Sequence, residues 1–551
     1  MTRGQRRLRW VGIALAIVLC TAIMSGANLA SDPTQTKGTD IDELRALLTA
    51  QQKLLTAQQQ EIEELRSALA EQKKAVEKLA PAQTGDARFS IPNARKLGEV
   101  ATTSPVLPPA PAPLPSPQAS GNAVENPSPL SFKIGVADFT PVGFMDFTGI
   151  FRSTNSGGIG TGFGGIPYAT ATSAPGNLSE TRFSAQNSRI GLRVDSDVMG
   201  AKVRGYLEAD FLGATAQNLD QESNSDTLRM RLYWVDVQKS KFEVLAGQSW
   251  SLLTPNRKGV SADPGDIFYT QDMDTNYQVG LTWARVPGIR FAFHPTDHIA
   301  WAFAAENPQQ YVGTAVTCPT ALSATYCGSI LDTGSSSALG TPSTPNAAPD
   351  FISKLAFDGK RAHLEISGLL RTFRAYDVVT LAHDTSIGAG GAINSNFEVF
   401  KGLRIVENAY YSDGGGRYIN GFGPDVIVRA NGSLSPVHAA STVDGIEFTA
   451  SKKTFLYGYF GAAYLDRDIA QDTTGKYIGY GFSGSATSNN RTIDEMTFGW
   501  IQTFWKHPTY GDLKLITQYS YLWRDPWAVP TSGPTDAHAN LVYVDIRYDL
   551  P

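Results

Sequence analysis

The sequence lacks the residue patterns that mark most enzymes and metal proteins. Only three cysteines occur in 551 residues, and no two of them form a CxxC pair, which argues against zinc ribbons and dithiol redox centres. The seven histidines form no HExxH motif, and GxSxG is also absent. We therefore expect no enzyme, no cofactor and no metal site. The formal net charge of -5 gives no general attraction to nucleic acid.

Long apolar runs are also missing. The chain opens with four arginines in its first nine residues, followed by an apolar run of only about 14 residues and then Ser25, Gly26 and Ala27. A spanning helix needs ~20 apolar residues, so residues 1–27 are predicted to be a signal peptide, cleaved after Ala27 or Ala30. The alternative is a membrane anchor. No later segment reaches 18 consecutive apolar residues, which excludes spanning helices from the rest of the chain.

Cleavage of the signal peptide removes Cys20, and export places the two remaining cysteines in an oxidising compartment. Cys318 and Cys327 lie in a segment rich in Gly, Ser, Thr and Pro. An oxidising compartment favours disulfides, so we expect these two residues to form one.

Residues 41–79, within a predicted coiled-coil domain at 31–80, show a heptad period. Apolar residues fill every a position of a predicted periplasmic coiled coil, and its d positions hold leucine or glutamine. At ~1.5 Å per residue the helix would be about 58 Å long. The alternative is a lone amphipathic helix packed on its own domain. The predicted core comprises Ile41, Leu44, Leu48, Leu55, Ile62, Leu65, Leu69, Val76 and Leu79.

The segment 81–131 is rich in proline, alanine and serine, including VLPPAPAPLPSP at 106–117. Such a composition favours extended polyproline II and cannot build a core. We interpret it as a linker between the coiled coil and a C-terminal domain over 132–551.

From residue 132 onward the period changes to two. In SRIGLRVDSDVMGAKVRGYLEADFLG (188–213), apolar and polar residues alternate on both sides of a turn at 196–200, as extended strands require. A break in phase within 228–238 is attributed to a β-bulge. The pattern predicts strands near 142–152, 181–196, 200–213, 227–238, 241–249, 277–294, 298–306, 350–358, 361–374, 385–400, 402–412, 441–450, 452–466, 491–507, 511–525 and 538–549.

Short and long connections alternate between these sixteen strands, as they do in outer-membrane barrels with short periplasmic turns and long external loops. A soluble sandwich or propeller is the alternative, but it would bury its apolar face inside. The predicted fold is therefore an all-β transmembrane barrel of 16 antiparallel strands, preceded by an N-terminal α-helical coiled coil. Aromatic residues near strand ends are expected to form interfacial girdles: Phe151, Trp250, Tyr277, Trp505, Tyr521, Trp523 and Tyr548.

Three stretches together, 188–213, LRMRLYWVDV at 228–237 and FEVLAGQSWSLLTP at 242–255, resemble the DcaP-like porins. The resemblance implies a trimeric outer-membrane porin of sixteen strands with a helical, coiled-coil-forming extension at its N-terminus. It also implies diffusion of small anionic solutes, dicarboxylates included, through each monomer.

Selectivity would depend on whatever narrows the lumen. The third long loop, 251–276, is the candidate constriction, with Arg257, Lys258, Asp263, Asp266, Asp272 and Asp274 as its charged residues. The alternative is an external loop with solvated charges.

A basic wall is predicted opposite that loop, because a cation facing lipid would cost roughly 2–4 kcal/mol near mid-bilayer. The alternative is that its arginines neutralise Glu208, Asp210 and Asp236 and select nothing. The predicted wall comprises Arg189, Arg193, Lys202, Arg204, Arg229, Arg231 and Arg371.

These patterns predict a passive porin embedded in outer-membrane lipid, with a mild preference for anionic solutes. The resemblance to the DcaP-like porins implies that it is a homotrimer. The rival hypothesis is a structural tether that uses the barrel as an anchor and the coiled coil to reach the cell wall. Ion conductance separates the two, because a tether with a plugged lumen would pass no ions.

Overall fold

The structure, a computed structural model, describes residues 128–155, 163–213, 226–262, 268–271, 277–309, 316–320, 322, 345–376 and 383–551. The predicted signal peptide, the coiled coil and residues 81–127 of the linker lie outside the described residues. Cys327 and four loop aspartates, Asp263, Asp266, Asp272 and Asp274, also lie outside them.

Strands dominate the described part of the chain. They are accompanied there by a one-turn helix α1 (Ala174–Asn177) and two 3-10 turns (Phe163–Gly165 and Gly416–Tyr418). The strands are β1 (Phe132–Ile134), β2 (Ala137–Arg152), β3 (Glu180–Ser184), β4 (Arg189–Val198), β5 (Ala201–Asp210), β6 (Arg229–Lys239), β7 (Phe242–Trp250), β8 (Arg285–Thr296), β9 (Ile299–Glu306), β10 (Asp350–Asp358), β11 (Ala362–Tyr376), β12 (His383–Phe400), β13 (Leu403–Asp413), β14 (Val426–Val428), β15 (Leu434–Pro436), β16 (His438–Thr449), β17 (Thr454–Leu465), β18 (Asp468–Gln471), β19 (Tyr477–Tyr480), β20 (Asn490–His507), β21 (Gly511–Pro526) and β22 (Ala537–Asp549).

The main sheet closes on itself. Each strand pairs antiparallel with its sequence neighbour, and β22 pairs with β2 from Asp549↔Phe144 to Leu541↔Arg152. β3 and β4 both pair with β2 and act as one interrupted strand, while β1 pairs with the first residues of β2. The result is a barrel of sixteen antiparallel strands, which confirms the predicted barrel; the coiled coil that completes the predicted fold stays a prediction.

The two faces of the barrel differ as a membrane requires. On β22, Val542, Val544 and Ile546 are exposed on the outside, whereas Tyr543 and Asp545 between them are buried on the inside. Exposed apolar side chains recur on the same parity in the other long strands. A water-soluble barrel would place these groups inside, so the outer surface is suited to lipid.

A polar pair on β13 and β16 interrupts the outward face. Glu407 on β13 and Asp444 on β16 are register partners, and both side chains are exposed on the outward parity. Ser395 and Thr442 donate hydroxyl hydrogen bonds to them, each at 3.3 Å. These donors offset part of the cost of placing carboxylates there.

Two strand predictions are corrected at their boundaries. The first strand starts at Ala137 rather than at 142, and the strand predicted at 277–294 starts at Arg285. Residues 277–284 instead pack inside the barrel, where Trp283 N–H donates to the carbonyl of Tyr418 at 2.9 Å. Their apolar and polar residues alternate in the sequence like those of a strand, but residues 277–283 are buried on both parities.

The girdle prediction is wrong for Trp250 and Tyr277, which are buried. Phe151 and Trp505 are exposed as predicted.

The connections alternate as the sequence predicts. Turns of two to four residues separate the strands at one rim, for example at Met199–Gly200, where both residues have positive φ. Long loops at the other rim carry the hairpins β14–β15 and β18–β19. Among the described residues, no helix is long and apolar enough to cross a membrane.

Candidate pore lining and constriction

The β4–β5 hairpin carries a charged triad on its inward face. The Nε atoms of Arg193 and Arg204 lie 2.6 Å and 2.7 Å from the two carboxylate oxygens of Asp195. Each of the three side chains is 29% exposed. Two guanidinium groups share one carboxylate, so the triad carries a net positive charge in contact with water.

A second cluster lies where β5 meets β6. Arg231 bridges Glu208 at 2.6 Å and Asp210 at 2.7 Å, and Arg229 lies 2.6 Å from Asp210. The ladder shifts register between Glu208 and Ala209, which confirms the predicted bulge and places Arg231 and Leu232 together in the interior. The carboxylates are fully buried, whereas Arg229 remains 33% exposed.

The remaining predicted wall residues occupy three different settings. The Arg189 guanidinium is buried above the Phe144 ring, 5.2 Å from its centroid. Lys202 is exposed at the turn end of β5, opposite Asp197. Arg371 lies on β11, away from this wall. The structure thus brings six of the seven cations together on β4, β5 and β6 and leaves Arg371 apart.

Arg371 belongs to a buried cluster of its own. Its guanidinium contacts Asp350 at 3.1 Å and Asp425 at 2.9 Å, and all three side chains are fully buried. Tyr418 donates its hydroxyl to Asp350 at 2.9 Å. Burial raises the pKa of the Asp425 carboxyl, and the Arg371 guanidinium opposes that shift. The cluster fastens the loop between β13 and β14 to the barrel wall.

The third loop, which runs from residue 251 to 284, enters the lumen. Its first half is held by wall carboxylates, because the amides of Asn256 and Gly259 donate to Glu365 and Asp358, each at 3.0 Å. Arg257 donates from Nη1 to Glu447 on β16 at 2.8 Å. Lys258 beside it is exposed.

The second half of the loop docks on the far wall. Gln271 N–H donates to Gln518 on β21 at 2.8 Å, and Val279 N–H donates to Glu495 on β20 at 3.0 Å. At Gly280, φ is +91°, and a Cβ would lie 2.2 Å from the Thr442 carbonyl oxygen, so only glycine fits. The described parts of the loop therefore span the lumen from β7 and β8 to β16, β20 and β21.

Sequence reasoning did not identify the carboxylates that hold this loop. Glu365, Glu447 and Glu495 lie on the inward parity of their strands, a signal that is present in the sequence. Asp425 lies in an irregular loop, so no periodicity marks it. Cys318 is disulfide-bonded, and its pairing with Cys327 stays a prediction.

Comparison with known structures gives the fold a precedent. The outer-membrane channel DcaP of Acinetobacter baumannii superposes with a TM-score of 0.55 and 18% identity, covering 75% of this chain and 97% of that one. The chain shares its fold with the DcaP channel. No protein-family model and no curated protein matches the sequence.

Two other solved barrels align over the same share of the chain with lower scores than DcaP. An anion-selective porin from Comamonas acidovorans has a TM-score of 0.42 and 11% identity, covering 75% of this chain and 99% of that one. Salmonella typhi OmpF has a TM-score of 0.41 and 7% identity, covering 76% of this chain and 99% of that one. The resemblance to DcaP seen in the sequence is matched by the superposition on the DcaP channel, which covers 75% of this chain.

Proposed function

We propose that this chain is an outer-membrane porin through which small hydrophilic solutes diffuse passively. The observation that carries the proposal is the reversed polarity of the closed barrel, with apolar side chains outside and charged ones inside. An even number of strands places both barrel ends at the short-turn rim, which faces the periplasm in bacterial barrels. The coiled coil would then project into the periplasm. The loop 251–284 is proposed to set the size limit of the lumen.

We propose a mild preference for anions, including dicarboxylates. Strands β4, β5 and β6 carry five arginines and two lysines, Lys202 and Lys239, against five carboxylates, which leaves a net charge of +2. The carboxylates Glu208 and Asp210 are buried beneath their partners, whereas Arg193, Arg204 and Arg229 remain in contact with water. A guanidinium pairs with a carboxylate in a bidentate manner, and water in the lumen keeps that contact weak enough to release the solute.

Reversal potential under a KCl gradient tests this preference. The wild-type barrel is expected to show chloride permeability above that of potassium, and the double variant R193Q/R204Q is expected to lose or invert this preference, because Asp195 is then left without its cations. The variant K401Q removes one positive charge at an exposed turn outside the lumen and is the matched control. Potassium preference in the wild-type barrel would contradict the proposal.

We also propose that three chains assemble through the coiled coil. Its support is the heptad pattern of Ile and Leu between Ile41 and Leu79. Deletion of residues 41–79 is expected to lower the temperature at which trimers dissociate, measured by gel migration of the purified protein in mild detergent. A deletion variant with trimers as stable as those of the full chain would refute this role.

A further inference from the structure

The seam of the barrel, where the first strand meets the last, contains a break in the ladder. On the far side of β2 from β22, pairing is interrupted between Ser184 and Arg189. The interruption is a tight turn, in which Ser188 N–H donates to the carbonyl of Ala185 at 3.0 Å. This turn directs the buried side chain of Asn187 toward β2, where its amide meets Thr148. The break therefore adds an amide group to the inner face of the seam.

Hydrogen bonds fix the orientation of this amide. Asn187 donates from Nδ2 to the Thr148 hydroxyl at 3.0 Å, and that hydroxyl donates its one proton to Asp146 at 2.5 Å. Reversing the amide would place its oxygen against a hydroxyl oxygen whose proton is already committed. The amide oxygen Oδ1 of Asn187 therefore accepts no hydrogen bond from Thr148, and no other donor among the described residues reaches it.

Asp545 on β22 is the register partner of Thr148. Its side chain is fully buried on the inward face. The Thr148 hydroxyl is its polar neighbour, but that hydroxyl donates its proton to Asp146, and no other donor of the described chain is within hydrogen-bond distance of the Asp545 oxygens. Cross-strand partners on one face have Cβ atoms ~5 Å apart, so the carboxylate lies beside the Thr148 hydroxyl. A buried carboxylate without hydrogen bonds is strongly disfavoured unless a positive charge compensates it.

The charged side chains around Asp545 leave one negative charge without a compensating cation. Arg547 donates from Nε to Asp146 at 2.7 Å, so two carboxylates, those of Asp146 and Asp545, share one guanidinium. Four oxygens are available to bind a cation, and oxygen is a hard ligand. Two of them belong to Asp545, one to Asn187 and one to Thr148. Calcium takes 6–8 oxygens and usually several carboxylates, which is more than this group supplies.

We propose that Asp545, Asn187 and Thr148 bind a hard monovalent cation of the sodium type. The ion neutralises Asp545 and joins β22, β2 and the turn before β4. It thereby completes the seam at which the barrel closes. The site lies on the inward face of the seam, and its test measures the stability of the barrel rather than its ion selectivity. This inference therefore holds or fails separately from the proposed anion preference.

Unfolding of the full chain in detergent micelles tests the site. We expect the midpoint of urea unfolding to be higher in NaCl than in choline chloride at equal ionic strength, and to rise with the logarithm of sodium concentration as single-site binding requires. The variant D545N is expected to lose this sodium dependence. The variant D512N removes a carboxylate that already pairs with Lys506 at 2.9 Å and should keep it.

Three results would overturn the proposal. The wild-type barrel could have equal unfolding midpoints in NaCl and choline chloride, or it could be stabilised by CaCl2 but not by NaCl. The midpoint could also depend on pH alone, because a proton or a water occupies the site. If D545N fails to fold, N187A keeps the charge and removes one oxygen ligand. This second variant is expected to need a severalfold higher sodium concentration for the same shift, and an unchanged response in N187A would also count against the site.

Discussion

Replacing Arg371 with methionine is expected to lower the free energy of unfolding by roughly 3–5 kcal/mol, because removing one partner of a buried ion pair leaves the other charge uncompensated. Arg371 lies between the buried carboxylates of Asp350 and Asp425. Arg417 also pairs with Asp350, at 3.6 Å, so Asp350 keeps a cation in R371M, whereas Asp425 loses its ion pair with Arg371. The measurement is urea unfolding in detergent micelles. The loss should be smaller at pH 5 than at pH 8, since burial already raises the pKa of Asp425 and a protonated carboxyl carries no charge to compensate.

An exposed ion pair provides the control. Arg491 lies 3.4 Å from Asp525, and both side chains are substantially exposed, so R491M should cost less than about 1 kcal/mol. Equal effects of R371M and R491M would show that the Arg371 cluster does not hold the loop between β13 and β14 against the wall.

Placing an arginine at Val544 is expected to destabilise the barrel in lipid vesicles by roughly 2–4 kcal/mol, the cost of a cation on the lipid face near the bilayer centre. Val544 lies in the middle of the outward row of β22, and its side chain is 46% exposed. Reversible unfolding of the refolded protein in vesicles gives the difference in free energy.

The same substitution at Val136 is its matched control. Val136 is 71% exposed, but it lies in the turn between β1 and β2, at the end of the barrel wall. V136R should therefore change stability by less than about 1 kcal/mol, because a rim position costs ~0–1 kcal/mol. A cost for V544R no larger than that for V136R would mean that the outward row of β22 does not face hydrocarbon.

Strand number and barrel polarity followed from the sequence because a period of two is a local signal that sixteen strands repeat. Each inward position on β22, for example Asp545 and Arg547, can be assigned by counting from its neighbours. The register between β2 and β22 follows once the strands are placed, because a shift by one residue would turn the apolar side chains of a strand to the inside.

Contacts between irregular segments and the wall did not follow from the sequence. Residues 277–284 alternate like a strand but cross the lumen, because their partners lie on another loop and on distant strands. Asp425 meets Arg371 although the two are far apart in the chain, and no periodicity relates them. The break before Arg189 was also missed, since Ala185–Ser188 keeps an acceptable composition for a strand.

Current through single molecules in a planar lipid bilayer tests the central claim most directly. A closed barrel with a charged, water-filled interior should give stepwise, ohmic conductance at KCl concentrations near 1 M, and the current should fall in proportion as salt is diluted. A protein that inserts but carries no current, or one that stays dissolved without detergent and never inserts, would contradict the account of an aqueous pore.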